Sequence, residues 1–177
     1  IVETAIQGDA DAVGISILSG AHMTLVPRII EGLRSHEADD VLVVVTTGGV
    51  PRSELEVLFG GALPANARVS EFIPYDLLLP HVHVCVTNGG YTGVTTALHH
   101  GVPLVQAGST EEKAEIGARV AWSGVGVRIR STSPRPLRLR QAVRRVLHDP
   151  RYRHAAQRLG AEMRLHEEGI SGQVYLF

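Results

Sequence analysis

The 177-residue sequence is poor in the features that mark several protein classes. Its one cysteine, Cys85, excludes an internal disulfide and a cysteine-based zinc cluster, so we expect a reducing, cytoplasmic location. Apolar runs such as residues 41–45 have the length of a strand and are far too short to span a membrane. No charged and then apolar leader is present, which predicts no signal peptide, and the first residue, Ile1, suggests a trimmed chain.

Acidic residues are scarce between residues 128 and 164, where eleven arginines stand against Asp149 and Glu162. Such a block either attracts a polyanion such as nucleic acid or lines the wet faces of two amphipathic helices. Because the arginines lack the interleaved run of aromatic residues that a stacking platform requires, we favour the helix faces and expect no nucleic-acid partner.

The hydrophobic pattern alternates between short apolar runs and segments of helical periodicity. The strand-like runs are residues 12–18, 41–45, 69–73, 82–86, 103–105 and 125–129, and helices are predicted near 90–100, 111–123, 136–148 and 150–167. Strands that are apolar on both faces and separated by helices specify a parallel sheet covered on two sides. We predict one α/β domain over residues 1–177, a three-layer, doubly wound parallel sheet of about six strands.

Four side chains allow a chemical and a structural interpretation. His81 and His83 have a spacing that suits a metal, but zinc sites need three or four protein ligands, so a surface pair is favoured and no metal is expected. Cys85 lies between two valines and is expected to be buried and inert. Trp122 is expected to pack under its helix.

Three glycine-bearing turns follow predicted strands, at residues 16–20, 46–49 and 87–93. In an open parallel sheet, ligands bind beyond the carboxyl ends of the strands, where the strand order reverses. The third turn opens a helix, and glycines there let backbone amides approach an anion, while Thr92 adds a hydroxyl. A phosphate or diphosphate is the natural ligand, although packing alone also places glycines at such turns.

Two stretches resemble the donor-binding half of GT-B glycosyltransferases of the macrolide type, which use UDP- or TDP-sugars. They are FIPYDLLLPHVHVCVTNGGYTGVTTALHHGVPLV, residues 72–105, and STEEKAEIGARVAWSGVGVRI, residues 109–129. The resemblance covers about residues 41–168 and implies a Rossmann-like domain. It also implies that the general base lies on a separate N-terminal domain, so no catalytic residue and no required cofactor are expected in this chain.

The resemblance assigns donor-binding roles to individual residues. The base would lie against Phe72 and Pro74, and the sugar would face Glu111 and Glu112. The diphosphate would be held by the turn residues Asn88, Gly89, Gly90, Thr92 and Gly93.

This sequence departs from the family pattern at four places. Asn88 replaces a histidine, Tyr75 replaces a base-reading glutamine, and Thr96 replaces a ribose-binding glutamate. The Glu111-Glu112 pair stands where the family has Asp-Gln. The family assignment therefore does not by itself imply donor affinity.

Residues 1–45 instead resemble the cobalamin-binding domain of methylmalonyl-CoA mutase. Ser16, Ile17 and Leu18 match its S-x-L motif, and the turns containing Ser19-Gly20 and Gly48-Gly49 form a possible phosphate or cobalamin loop. The D-x-H-x-x-G motif whose histidine ligates cobalt is missing, so cobalamin is not an expected cofactor.

Two resemblances in one chain predict a chimera, with a flavodoxin-like fragment at 1–45 joined to a transferase-like fragment at 46–177. Strand–helix–strand units of the same handedness can be exchanged without changing the topology. We expect an engineered protein, with a natural recombinant as the alternative. Its function is then residual UDP- or TDP-sugar binding, no ligand at all, or residual cobalamin binding.

Overall fold

A computed structural model describes residues 12–16, 41–49, 51–58, 60–63, 65–110 and 112–169. The strands are β1 (Ala12–Ser16), β2 (Leu42–Thr46), β3 (Ala67–Ser70), β4 (Val84–Thr87), β5 (Leu104–Ala107) and β6 (Gly126–Ile129). The helices are α1 (Arg52–Leu58), α2 (Tyr75–Leu78), α3 (Tyr91–His99), α4 (Glu112–Trp122), α5 (Pro136–His148) and α6 (Pro150–Gly169). A 3₁₀ turn, Leu79–His81, precedes β4.

The six strands form one sheet in the order β3-β2-β1-β4-β5-β6, and every neighbouring pair is parallel. The order reverses between β1 and β4, as it does in a doubly wound fold. The predicted α/β fold class is confirmed. β1, from the segment predicted to be mutase-like, lies in the centre of the sheet between β2 and β4.

Apolar side chains on both faces of the sheet hold the three layers together. On one face, Val43 and Val45 belong to a buried cluster with Val143 of α5. On the other face, Val44 belongs to a cluster with Val94 of α3. Each fully buried side chain of this size contributes about 1.5–3 kcal/mol relative to an exposed one, so the two clusters account for most of the drive to fold.

The last two helices begin where proline fixes the backbone. Pro136 opens α5, and Pro150 opens α6 directly after Asp149. The Asp149 carboxylate accepts hydrogen bonds from the Arg151 guanidinium, at 2.7–3.2 Å, and from the Arg151 amide at 3.1 Å. These bonds lower the pKa of Asp149 to about 2. The observed bounds confirm the helix predicted at 136–148 and the helix start predicted at 150.

The structure differs from the sequence-based expectations in three details. The third strand covers Ala67–Ser70 instead of residues 69–73, and the short helices α1 and α2 were not predicted. Trp122 is 87% exposed, so its predicted burial is wrong. It lies two residues beyond the buried Val120, about 200° around the helix, and therefore on the opposite face.

Other expectations about side chains are confirmed. His81 and His83 are exposed, and Cys85 is buried, which raises the pKa of its thiol to about 12. The arginines of α5 and α6 are exposed or half-buried, as expected for wet helix faces. None of the helices in the described part of the chain has the length and apolar character that crossing a membrane requires.

Candidate functional site

A row of polar residues crosses the carboxyl end of the sheet at one level. The register aligns, from one edge to the other, Ser70, Thr46, Ser16, Thr87, Gln106 and Arg128. The strand order reverses in the middle of this row, between Ser16 and Thr87. A polar ligand of a doubly wound sheet is expected at this position.

The turn after β4 is shaped by its own side chains. The Gly89 amide donates a hydrogen bond to Thr87 Oγ1 at 3.2 Å, and the Gly90 amide donates one to Asn88 Oδ1 at 3.3 Å. Thr87 and Asn88 are both buried. Gly89 has φ 94°, a backbone conformation that favours glycine. The turn is therefore held in one conformation without a ligand.

The N-terminus of α3 follows this turn, and its first amides have no partner among the residues that the structure describes. The Val94 amide donates to the Gly90 carbonyl at 3.1 Å, so the amides of Tyr91, Thr92 and Gly93 precede the first intrahelical bond. Gly90 stands at the N-cap, and no side chain in the described part of the chain caps this helix. Three amides without a partner in that part, together with the positive end of the helix dipole, favour an anion at this point. The predicted residues of this turn thus meet in one place.

A buried glutamine next to the turn was not predicted to belong to the site. Gln106 is 0% exposed, and its Nε2 lies 3.2 Å from each of three backbone carbonyl oxygens, those of Asn88, Gly108 and Lys113. A Cβ on Gly89 would lie 2.5 Å from this Nε2, so packing explains that glycine. At Gly90 a Cβ would find only an ordinary contact, at 3.9 Å from Asn88 Oδ1.

The residues predicted to contact the base lie in the loop after β3. Phe72 is 72% exposed, and Pro74 is also exposed. Ser70 Oγ donates to the Phe72 carbonyl at 3.1 Å, which holds the loop against its strand. β3 and β4 are three strand spacings apart, about 14 Å, so only an extended ligand can reach both this loop and the turn after β4.

Tyr75 is partly buried and packs against the core cluster that contains Val44 and Val94. Its hydroxyl is buried and has no hydrogen-bond partner within the described residues. Burial, together with the neighbouring Cys85, raises the pKa of Tyr75 to about 12. Tyr75 therefore does not substitute for a residue that reads a nucleobase.

The remaining predicted residues are only partly placed. Glu112 is exposed at the start of α4, and Gly48 and Gly49 are exposed just after β2 with φ of 67° and 98°. Ser16 ends β1 between β2 and β4. The other predicted residues, Leu18, Ser19, Gly20 and Glu111, lie outside the described residues.

A groove lies elsewhere, along the free edge of β6, and it contains none of the predicted site residues. It is lined by α4, β6 and the junction between α5 and α6, and includes Arg128, Arg145 and Tyr152. Among the described residues, no group of three or more His, Cys, Asp or Glu side chains is placed to hold a metal ion.

Residues 36–167 match the family of the erythromycin biosynthesis protein CIII-like C-terminal domain. The chain belongs to this family of glycosyltransferase C-terminal domains. It is 50% identical over 147 residues to a 4'-demethylrebeccamycin synthase of Lentzea aerocolonigenes, covering 83% of this chain and 32% of that protein. It is also 44% identical over 100 residues to UDP-glycosyltransferase 2 of Phaeomoniella chlamydospora, covering 56% of this chain and 22% of the relative.

Solved structures of glycosyltransferases share the fold. The glycosyltransferase of kitacinnamycin superposes with a TM-score of 0.74 at 28% identity, over 90% of this chain and 40% of that one. The glycosyltransferase VinC, solved in complex with DTDP, gives a TM-score of 0.74 at 23% identity, over 88% of this chain and 38% of VinC. The chain thus spans about a third of the length of the first relative and two fifths of these structures.

The comparisons also bear on the first residues. The family match begins at residue 36, and an alignment of 147 residues in a 177-residue chain leaves 30 outside it, so it includes residues 31–45. Similarity to transferases therefore extends upstream of the junction predicted near residue 45. The comparisons do not show a mutase-derived segment, a cobalamin site or an engineered origin, and these stay predictions.

Proposed function

We propose that the chain binds the UDP- or TDP-sugar donor of a glycosyltransferase at the carboxyl edge of its sheet. One observation carries the proposal. The amides of Tyr91, Thr92 and Gly93, which no described residue pairs, lie next to the reversal of strand order, in a chain whose family consists of glycosyltransferase C-terminal domains. The complex of VinC with DTDP supports a nucleotide as the ligand.

In this proposal the donor lies across the polar row. The diphosphate accepts hydrogen bonds from the amides of residues 91–93 and from the Thr92 hydroxyl. The base stacks on Phe72 beside Pro74 in the loop after β3, and the separation of about 14 Å between β3 and β4 suits an extended nucleotide. The sugar faces Glu111 and Glu112, of which Glu112 begins α4.

The positive charge for the diphosphate comes mainly from backbone. Asn88 replaces the family histidine and already uses its Oδ1 to accept the Gly90 amide. The helix dipole of α3 remains, because its N-terminus lies at the same edge. No metal ion has a role in this arrangement.

Sugar transfer needs more than donor binding. We propose that the acceptor and the base that deprotonates it belong to a separate domain, so this chain alone binds the donor and has little or no transferase activity. Positioning and proton removal supply large parts of an enzymatic rate enhancement. A cytoplasmic location without nucleic-acid or membrane partners fits the single free cysteine and the sugar nucleotide.

Calorimetric titration of this chain with UDP, DTDP and hydroxocobalamin, in the presence of EDTA, tests the proposal. We expect saturable binding of UDP or DTDP. At a nucleotide concentration of one hundred times Kd, binding should stabilise the fold by about 2.7 kcal/mol. This stabilisation corresponds to a rise in Tm of about 5–10 °C. If neither UDP nor DTDP binds, donor binding is refuted. Binding of hydroxocobalamin alone would establish the predicted alternative of a cobalamin fragment.

A further inference from the structure

We propose that Gln106 is a positioning residue that fixes the turn after β4 relative to the loop after β5, and thereby lets the site hold a sugar as well as a diphosphate. The inference rests on the proposed function. In this proposal Gln106 contacts neither the sugar nor the diphosphate of the donor. It acts through the backbone of the two segments that do.

The carboxamide of Gln106 joins two elements that are separate in sequence. Its Nε2 lies 3.2 Å from the carbonyl oxygens of Asn88, in the turn after β4, and of Gly108 and Lys113, in the segment leading into α4. Two N–H hydrogens are therefore shared among three acceptors in a fully buried place. Water does not replace these bonds when the side chain is lost, so both segments lose a restraint together.

The orientation of the carboxamide is set by its surroundings. If the amide were reversed, Oε1 would face three carbonyl oxygens and would accept no hydrogen bond from them. As it stands, Oε1 lies against Gly117, where a Cβ would collide with it, and it has no partner among the residues described. A buried polar atom without a partner is costly, and an aliphatic side chain of similar size would avoid that cost. The group of this side chain that has a role in the link is therefore its Nε2 donor.

The two joined segments are those that meet different parts of the donor. The turn at 88–93 is proposed to hold the diphosphate, and the segment from Gly108 leads to Glu112, which is proposed to face the sugar. Because the sugar is bonded to the diphosphate, both contacts form only if the segments keep a fixed spacing. In enzyme sites a displacement of about 1 Å lowers the reaction rate by up to about 100-fold, which shows how strictly such spacings matter.

The test compares Gln106→Met with a matched core variant, Val143→Ala. Methionine has a similar length and no donor, while Val143 is fully buried in α5 on the opposite face of the sheet. We expect Gln106→Met to weaken UDP-glucose at least tenfold and UDP by no more than about threefold. Val143→Ala should leave the ratio of the two affinities unchanged. Equal weakening of both ligands by Gln106→Met would overturn the proposal and leave Gln106 a purely structural residue.

Hydrogen exchange separates this proposal from the proposed function. Without ligand, Gln106→Met should speed exchange of the hydrogen-bonded amides in both segments, those of Gly89, Gly90 and Lys113, by about tenfold. Val143→Ala should not single out these amides. This result would support the link even if the wild-type chain bound no nucleotide, an outcome that refutes donor binding alone. Unchanged exchange in either segment would overturn the link.

If Gln106→Met does not fold, the wild-type chain still provides a test. UDP has no sugar and is proposed to touch the turn at 88–93, not α4. Because Gln106 couples the segments, UDP should also slow exchange at 112–115. Slower exchange confined to 88–93 would overturn the proposal.

Discussion

The two ends of the proposed donor site are built differently. At the phosphate end, Thr87, Asn88 and Gln106 are buried, and hydrogen bonds hold the turn in place before any ligand arrives. At the base end, Phe72 projects from a loop with 72% of its surface exposed. The phosphate end is thus preorganised, whereas the base end has a large apolar surface to cover.

This contrast predicts at which end of the site a substitution changes the affinity for the nucleotide without changing the stability of the fold. A change at the phosphate end disturbs a packed core and should alter stability as well as binding. A change at the base end removes only what a ligand touches and should alter binding alone. Three substitutions test this division, in order of decreasing expected effect.

The largest effect is expected for Gly89→Ala. Its φ of 94° disfavours alanine, and the added Cβ would lie 2.5 Å from Gln106 Nε2. Together these should lower the free energy of unfolding by about 2–4 kcal/mol, as measured by urea denaturation. The control is Gly90→Ala, where φ is −63° and the new Cβ meets only Asn88 Oδ1 at 3.9 Å. We expect a loss under about 1 kcal/mol there; equal losses would show that the turn is not preorganised.

An effect on binding without an effect on stability is expected for Phe72→Ala. Stacking of a base on an aromatic ring is worth about 1–3 kcal/mol, so the affinity for UDP should fall about tenfold by calorimetry. The free energy of unfolding should change by less than about 0.5 kcal/mol. Trp122→Ala is the control, since Trp122 is an aromatic residue that is 87% exposed but ends α4, towards the other edge of the sheet. If both variants bind UDP like the wild type, the base does not lie on Phe72.

The smallest effect is expected for Tyr75→Phe, beneath the base loop. Removing a buried hydroxyl without a partner in the described structure should stabilise the fold by about 1 kcal/mol, while Tyr91→Phe at an exposed site should change little.

The same substitution should change the response to alkaline pH. Burial raises the pKa of Tyr75 from 10.0 to about 12, so the unfolded chain loses this proton first and stability falls as pH rises between those values. Tyr75→Phe should flatten the unfolding free energy over this range. An unchanged slope of the unfolding free energy against pH would show that Tyr75 is not the titrating group. Cys85 would then account for the slope, because burial raises the pKa of its thiol from 9.0 to about 12.

The sequence was sufficient for the fold, and it indicated an edge of the sheet for the site, which stays a proposal. Strands apolar on both faces, such as 84–87, required a sheet covered on two sides, and glycines after those strands indicated the ligand edge. Short elements such as α2 were missed because four residues do not show a helical period. The burial of Trp122 was predicted wrongly because each residue along α4 turns the side chain by about 100° around the helix, so a shift of one residue decides whether it is buried.

Gln106 could not be found from the sequence by the same reasoning. Within VPLVQA it is one polar residue at the end of a short apolar run, and its partners Asn88 and Lys113 come together only through the register of β4 and β5. One local signal was available, since Thr46, Thr87 and Gln106 are each the polar residue near the end of an apolar strand. Reading that position across all strands would have indicated the polar row.

The most direct measurement is the change in backbone amide chemical shifts when DTDP is added to the isotope-labelled chain. The account predicts that the largest shifts occur at Tyr91, Thr92 and Gly93, with smaller ones in the loop that carries Phe72. It is contradicted if the amides at 91–93 do not respond, or if the largest shifts fall along β6, in the arginine-lined groove.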